Sequence, residues 1–391
     1  MNTMEIDKTF IADTYKRFPV EFEKGKGSYL YDGDGFKYVD MSAGIAVNTF
    51  GLCDDEWTAA VTKQLGLLAH TSNLFYSEPD AMLAKMICEK TGMRRVFFSN
   101  SGAEANECAI KTARKWARLR YGDDSHATIV TLRGGFHGRT VTTLTATAQD
   151  ELHEDFGPFT PGFVYADPDD PEDLKNVVAE NNCCAIMFET IQGEGGVHVL
   201  SKEYVDVIRS LCEKGSLLMI VDEVQTGNGR TGSLYSYINY GLNPDIFTTA
   251  KGLGGGLPIG ATVFGAKTAD VLTPGSHGST FGGNPVVCAG ALNILSRLDD
   301  EALKYVRETG AYIRSELAEA PGVEEVTGMG LMIGVKTAKP AAEVAAACLE
   351  NGCAVLTAKD RLRLLPALNI PRKAVEDALD IIKDAIDPEA E

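Results

Sequence analysis

The sequence predicts an α/β protein: a large unit built on a mostly parallel sheet flanked by helices, followed by a smaller α+β unit. Three observations carry this. From about Glu56 to about Gly275, short apolar runs alternate with stretches of helical periodicity, the pattern of strands joined by crossover helices. Most of those runs are continuously apolar, as in strands covered on both faces. The last hundred or so residues mix helical and strand-like stretches without that regular order.

Taken in order, residues 1–55 read as an N-terminal arm with a hairpin. The hairpin is Tyr29-Leu30-Tyr31-Asp32-Gly33-Asp34-Gly35-Phe36-Lys37-Tyr38-Val39-Asp40, two aromatic-rich strands around a glycine-containing turn. Residues 56–275 form the large unit, with strands expected at 95–98, 128–132, 185–189, 217–222, 246–250 and 259–264. Residues 276–391 form the small unit, which the arm joins. Its helices are expected at 301–318, 340–350 and 373–386, and its strands near 331–335, 354–356 and 362–365.

The chain has 391 residues, too many for one small core. Its net charge of −18 disfavours nucleic acid and anionic membranes as partners. Nine cysteines without C-x-x-C spacing lie mostly in apolar stretches and read as reduced thiols. The N-terminus carries no apolar signal core and no apolar run approaches bilayer length, so the expected location is cytoplasmic. Six scattered histidines and the lack of H-E-x-x-H give no expectation of a metal site.

Ligands of open α/β sheets bind beyond the carboxyl ends of the strands, so the residues just past each strand are informative. After 95–98 comes Ser99-Asn100-Ser101-Gly102-Ala103-Glu104, then a long helix. Ser101 and Glu104 fit a capping box, and the helix start with Gly102 offers N–H groups to a phosphate; taken alone it is a common helix cap. After 128–132, Phe136 and Arg139 stand in a glycine-rich loop, where an aromatic can stack on a flat ring and an arginine can clamp a carboxylate. His137, between them, reads as structural. Glu189 and Glu194 flank a turn after 185–189, and buried acids are costly unless paired or functional.

The run 217–221 delivers Asp222 to the sheet edge, where it wants a cationic partner. The protonated pyridine nitrogen of pyridoxal phosphate is one. Lys251 ends the next apolar strand, before Gly252-Leu253-Gly254-Gly255-Gly256, and is a candidate Schiff-base lysine. Read as a dinucleotide loop, the glycines match G-x-G-x-x-G poorly and open no clear helix.

From about Phe18 to about Ile386 these residues resemble the class III aminotransferases of the fold-type I pyridoxal-phosphate superfamily. The most specific segments are Asp222-Glu223-Val224-Gln225-Thr226-Gly227, Asn243-Pro244-Asp245-Ile246 and Ala250-Lys251-Gly252. The resemblance implies pyridoxal 5′-phosphate as cofactor, Lys251 as its attachment point and proton shuttle, and Asp222 as partner of the ring nitrogen. It implies Gln225 at the phenolic oxygen, Phe136 and Val224 on the ring faces, and Ser101, Gly102 and Ala103 at the phosphate. Thr280 (phosphate) and Ser279 (substrate) would reach the site from a neighbouring subunit, so a homodimer with shared sites is expected. Arg139 would bind the substrate's α-carboxylate and Arg363 the second carboxylate of glutamate or 2-oxoglutarate. Glu194 would pair with Arg363 when no carboxylate is there.

Two departures touch loop shape. Gly51-Leu52-Cys53-Asp54-Asp55 stands for the family's glycine-His-Cys-His-Pro, and Thr190 stands where proline is usual. The segment 43–48, Ala-Gly-Ile-Ala-Val-Asn, has no tyrosine, whereas relatives acting on free ornithine usually carry one there. That favours N-acetylornithine and 2-oxoglutarate as substrates, in arginine biosynthesis. N-succinylornithine, N-succinyl-diaminopimelate, 4-aminobutyrate and ornithine are the alternatives, and a non-catalytic cofactor-binding protein is a more distant one.

Overall fold

The computed structural model describes residues 1–214 and 217–387. Among them a seven-stranded sheet runs in the order Arg95–Ser99, Gly260–Phe264, Ile246–Thr249, Leu218–Asp222, Cys183–Phe188, Thr128–Leu132 and Phe163–Ala166. The strands pair in parallel from Ile246–Thr249 through Phe163–Ala166. Gly260–Phe264 runs antiparallel to both its neighbours. Its link to Ile246–Thr249 is a short 3-10 turn at Lys251–Leu253 and a glycine loop, too short for the crossover that a parallel return needs.

The central strands Cys183–Phe188, Leu218–Asp222 and Ile246–Thr249 are buried along their whole length, which explains their unbroken apolar runs. Helix Gly102–Tyr121 lies on the sheet through buried Ala105, Cys108, Ala109, Ala113 and Ala117, small residues that let it pack closely. Since all these strands but one point the same way, Ser99, Leu132, Phe188 and Asp222 end at one edge of the sheet.

A second sheet holds Phe22–Lys26, Tyr29–Asp32 and Lys37–Asp40, and Cys353–Ala354 pairs in parallel with the last of these. The hairpin of the arm is thereby stitched to the C-terminal part of the chain. A third sheet orders Val323–Met329, Met332–Thr337, Arg361–Leu364 and Leu356–Ala358. Helices Asp300–Ala318, Ala341–Glu350 and Arg372–Ile386 bury an apolar stripe each. Helix Pro285–Arg297, C-terminal to residue 275, packs against Asp55–Leu65 and Glu78–Thr91 rather than the third sheet.

The expected strands and helices are present, with ends moved by one or two residues. Among the strands without a counterpart in the sequence pattern are Phe163–Ala166 and Val323–Met329. The first is a short edge strand, and the second is too polar and exposed to read as one until its apolar partner Met332–Thr337 is seen.

The departure at 51–55 is locally rational. Asp54 caps helix Asp55–Leu65 through the Trp57 N–H at 2.9 Å and takes a two-pronged bond from Arg297, which stacks 4.0 Å over Phe50. Thr190, the other departure, is buried and its hydroxyl meets Ser236 Oγ at 2.5 Å. The nine cysteines are free thiols; Cys53 is exposed, Cys88 half-buried and the rest buried. Among the described residues no helix is long and apolar enough to cross a membrane.

Candidate active site

A cavity of about 680 Å³ opens at the carboxyl edge of the large sheet. It is lined by Ser101, Gly102, Ala103, Phe136, Arg139, Asp222, Val224, Gln225 and Lys251, nine of the thirteen site residues that the resemblance implied, and also by Glu189 and His137. The other four lie elsewhere. Arg363 and Glu194 sit behind Gln225 and touch the cavity through it. Ser279 and Thr280 line a separate recess with Asn100 and Glu104.

Lys251 is held in a left-handed backbone conformation, φ +44°, an uncommon and mildly strained state for a side-chain-bearing residue. The Gly252 carbonyl beyond it accepts from Thr49 Oγ1 at 2.6 Å, pinning the turn to the N-terminal arm. Burial pushes the Lys251 amine below its ordinary pKa; Glu194 works against that shift and Arg363 with it. A buried amine of lowered pKa is a better nucleophile near neutrality.

Asp222, 2% exposed, accepts from Asn106 Nδ2 at 2.7 Å, His137 Nδ1 at 2.8 Å and the Val224 N–H at 3.0 Å. Its neighbour Glu223 is an internal staple, accepting from Thr226, from the Ser236 hydroxyl and from the Ser236 and Tyr237 N–H groups. The two acids of the motif therefore do different jobs: one faces the cavity and the other ties down the loop beneath it.

Ser101 caps helix Gly102–Tyr121, accepting from the Glu104 N–H at 3.2 Å. The expected capping box is displaced by one residue: the Glu104 carboxylate takes the N–H of Asn100, not of Ser101. The first N–H groups of a helix have no backbone partner within it, and here the helix start, with the positive end of the dipole, lines the cavity through Ser101, Gly102 and Ala103. Gly102 serves a side chain as well as a ligand, since a Cβ there would lie 2.7 Å from Val224 Cγ1.

Glu189 joins two loops. One carboxylate oxygen accepts from the Phe136 N–H at 2.8 Å and the other from the Gly193 N–H at 3.3 Å. Burial raises its pKa to about 7. Glu194 pairs with Arg363 at 2.6 Å, and Gln225 bridges them, donating to Glu194 and accepting from Arg363 at 3.2 Å each. Burial pushes the Glu194 carboxyl up, but the Arg363 charge and hydrogen bond outweigh it and hold the pKa low. Gly193 makes room for that bridge, as a Cβ would sit 2.1 Å from Gln225 Oε1. Arg363 Nε is buried without a hydrogen-bond partner among the described residues.

Arg139 is exposed, with its guanidinium 5.5 Å over the Phe136 ring and no ion pair among the described residues. Ser279 Oγ accepts from Asn100 Nδ2 at 3.3 Å and the Gly282 N–H at 2.9 Å. It lines the separate recess and not the cavity.

Sequence reasoning passed over several lining residues. Asn106, one helical turn after Gly102, is a polar residue on the buried face of its helix, and that mismatch was the available signal. Tyr15 reaches the cavity from the arm, and no local pattern marks it. Val47 follows four consecutive left-handed residues, Ala43, Gly44, Ile45 and Ala46, of which only one is glycine. Asp40 Oδ1 fixes the entry to that turn, accepting from the Ser42 N–H and hydroxyl and the Ala43 N–H.

The residues present suit pyridoxal phosphate: a lowered amine, a buried carboxylate with acceptor capacity left, an aromatic on one wall, and a capped helix start for the phosphate. A family model for "Aminotransferase class-III" matches residues 10–386. The chain is 46% identical to the acetylornithine aminotransferase of Haemophilus ducreyi over 98% of both chains. It is 40% identical to that of Methanocaldococcus jannaschii, covering 98% of this chain and 97% of the relative.

Among solved structures it is similar to an ornithine aminotransferase of Toxoplasma gondii described with partial occupancy of PLP at its active site. The TM-score is 0.93 at 35% identity, covering 98% of this chain and 93% of that one. It is also similar to the N-acetylornithine aminotransferase of Stenotrophomonas maltophilia, with TM-score 0.85, 34% identity and 98% of both chains covered.

Proposed function

Because the chain belongs to the class-III aminotransferase family, with pyridoxal 5′-phosphate as its cofactor, we propose that it transfers the terminal amino group of N-acetylornithine to 2-oxoglutarate. The products are N-acetylglutamate 5-semialdehyde and glutamate, a step of arginine biosynthesis. The single observation that carries the substrate is the 46% identity to an acetylornithine aminotransferase over nearly the whole of both chains. The higher TM-score to an ornithine aminotransferase does not compete with it, since both neighbours share one fold and backbone likeness does not read a substrate.

The cofactor, when bound, supplies the electron sink that makes the carbon bearing the amino group acidic. The rest is the work of this chain's residues. Lys251 Nζ would attach the cofactor and, once free, would move the proton from that carbon to the cofactor carbon it had itself been joined to. Asp222 would hold a proton on the ring nitrogen. Phe136 and Val224 would flank the ring, Gln225 would contact its phenolic oxygen, and Ser101, Gly102 and Ala103 would receive the phosphate. Arg139, exposed and without an ion pair among the described residues, takes the α-carboxylate. Arg363 takes the second carboxylate of 2-oxoglutarate, and Glu194 occupies it when the substrate offers none. The bridge through Gln225 supports that exchange, because one side chain touches both members of the pair.

The site is completed by a second copy, whose Ser279 and Thr280 enter it. Supporting this, the loop that carries them adjoins exposed Leu65, Leu67, Leu74, Phe75 and Tyr76, and His70 lies 5.3 Å from the Phe281 ring. So much exposed apolar surface marks an interaction face. The free thiols support a reducing, cytoplasmic compartment.

The test is a half-reaction. Holoprotein is mixed separately with N-acetylornithine, ornithine and 4-aminobutyrate while the visible absorbance of the bound cofactor is followed. Fast bleaching by N-acetylornithine, reversed by 2-oxoglutarate, is expected; faster bleaching by either other amine overturns the substrate. Mixing Lys251→Ala subunits with Thr280→Asp subunits is expected to restore activity that neither has alone. No restoration overturns the shared site.

A further inference from the structure

Lys251 has a left-handed backbone, φ +44°. Such a conformation persists in a residue with a side chain only where the surroundings over-determine it. The hydrogen bonds at this turn show what does so. Before the lysine, Asn228 Nδ2 donates to the Ala250 carbonyl at 3.2 Å and to Thr249 Oγ1 at 2.9 Å. After it, Thr49 Oγ1 donates to the Gly252 carbonyl at 2.6 Å. The residue on each side of Lys251 is thus gripped by a side chain from another part of the chain, 22 residues away in one case and 203 in the other.

Both grips are themselves anchored. Thr49 is 2% exposed, and its carbonyl accepts from the Leu368 N–H at 2.8 Å. A Cβ at Gly252 would lie 2.9 Å from Thr49 Oγ1 and 3.3 Å from the Ala46 carbonyl, so the lysine turn and the arm pack without slack. Asn228 is also 2% exposed and sits at φ +55°, which asparagine tolerates better than most residues. The Ala250 carbonyl can only accept, so the amide must turn Nδ2 toward it. That leaves Oδ1 buried without a hydrogen-bond partner among the described residues. A bare buried acceptor carries a desolvation cost, which a residue kept only to fill space would not impose.

We propose that Thr49 and Asn228 are positioning residues for Lys251: held on both sides, its backbone keeps the left-handed turn from which the side chain lines the cavity. The inference rests on the reading of Lys251 as the attachment point of the cofactor. The direction in which a side chain leaves the backbone follows from φ and ψ, so relaxation of the turn toward the right-handed region re-aims Nζ. Nζ has two tasks, holding the cofactor and moving a proton, and the second tolerates little misplacement. Neither Thr49 nor Asn228 lines the cavity, so losing their bonds slows the proton transfer without loosening the substrate.

Three variants test this. Thr49→Val keeps the shape of threonine without the hydroxyl, Thr49→Ser keeps the hydroxyl, and Asn228→Gly adopts φ +55° freely but has no side chain to donate. Each holoprotein is mixed rapidly with glutamate, the amine that runs the second half-reaction backwards, over a range of concentrations. Bleaching of the bound cofactor is followed well below the melting temperature, which is measured for each protein. Thr49→Val is expected to lower the limiting rate roughly tenfold, the worth of one buried hydrogen bond, with the half-saturating concentration within about twofold of wild type. Asn228→Gly is expected to behave alike, and Thr49→Ser to stay within about threefold of the wild-type rate.

A limiting rate unmoved in Thr49→Val or in Asn228→Gly overturns the inference, whatever their melting temperatures do, because lost stability at full rate is the signature of merely structural bonds. So does a Thr49→Ser rate as low as that of Thr49→Val, or a loss that lies wholly in the half-saturating concentration. If Thr49→Val does not fold, Asn228→Gly decides alone: a lowered rate at unchanged half-saturation supports the role, and a wild-type rate overturns it. Wild-type holoprotein whose cofactor borohydride fixes to a different lysine overturns the reading of Lys251 beneath the inference, a result distinct from every rate outcome.

Discussion

The inner end of the cavity, around Asp222 and Lys251, and its outer end, around Arg139, Tyr15 and the 279–284 loop, are built by opposite rules. At the inner end polar groups are buried and almost fully partnered. Asp222 has three short donors, both oxygens of Glu189 hold backbone N–H groups, and Glu194 is paired with Arg363. At the outer end Arg139 is exposed without an ion pair among the described residues, Tyr15 is 69% exposed, and Ser279 lines a separate recess. The difference follows from residence time. A cofactor that stays repays a cradle fixed in advance, because no ordering cost is left to meet on binding. A substrate that comes and goes meets solvated groups, and the proposed second copy would meet apolar side chains left bare.

Substitutions can break that contrast. The largest effect is expected for Lys251→Ala: turnover and covalent cofactor attachment are both lost, as steady-state assay and absorbance will show, and near-normal turnover would sink the mechanism. Asp222→Ala comes next. Removing one preorganised electrostatic partner is expected to lower kcat by roughly 100- to 1,000-fold, with substrate KM changed far less. At the outer end Arg139→Ala should show the reverse balance. KM for N-acetylornithine is expected to rise by roughly tenfold or more and much more than KM for 2-oxoglutarate, which in the proposed reading Arg363 would also hold; equal rises would contradict the assignment.

The smallest effect concerns stability alone. Burial raises the Glu189 pKa from the ordinary 4.5 to about 7. The folded protein thus binds a proton that the unfolded chain has released, so this residue's contribution falls as pH rises through that interval and levels off above it. Glu189→Gln is expected to flatten that part of the apoprotein's stability curve between about pH 4.5 and about pH 7. Parallel wild-type and variant curves in urea melts would argue against the assignment.

The inner end was largely legible in the sequence, whereas at the outer end only Arg139 was. Asp222 and Lys251 each terminate a buried apolar strand, and the carboxyl-edge rule of open α/β sheets turns that into a site without further information. Glu189 was visible as a costly acid, though not its use as a clamp between two loops. Asn106 was hidden inside a helix and His137 read as structural, because their partner, Asp222, is far along the chain. The left-handed turn at 43–46 left no trace, since three of its four residues are not glycine and its stability comes from Asp40. Tyr15 reaches the cavity only through the path of the arm. Ser279 and Thr280 came from family resemblance alone, and one chain by itself gives them no role in its own cavity.

The most direct test is to trap the cofactor on the protein. Holoprotein is reduced with borohydride, digested, and its peptides mapped by mass. A pyridoxyl group on the peptide carrying Lys251, absent from the Lys251→Ala variant, is the result expected. A label on any other lysine, or cofactor that co-purifies yet leaves no label, would contradict the assignment of Lys251 as the attachment point.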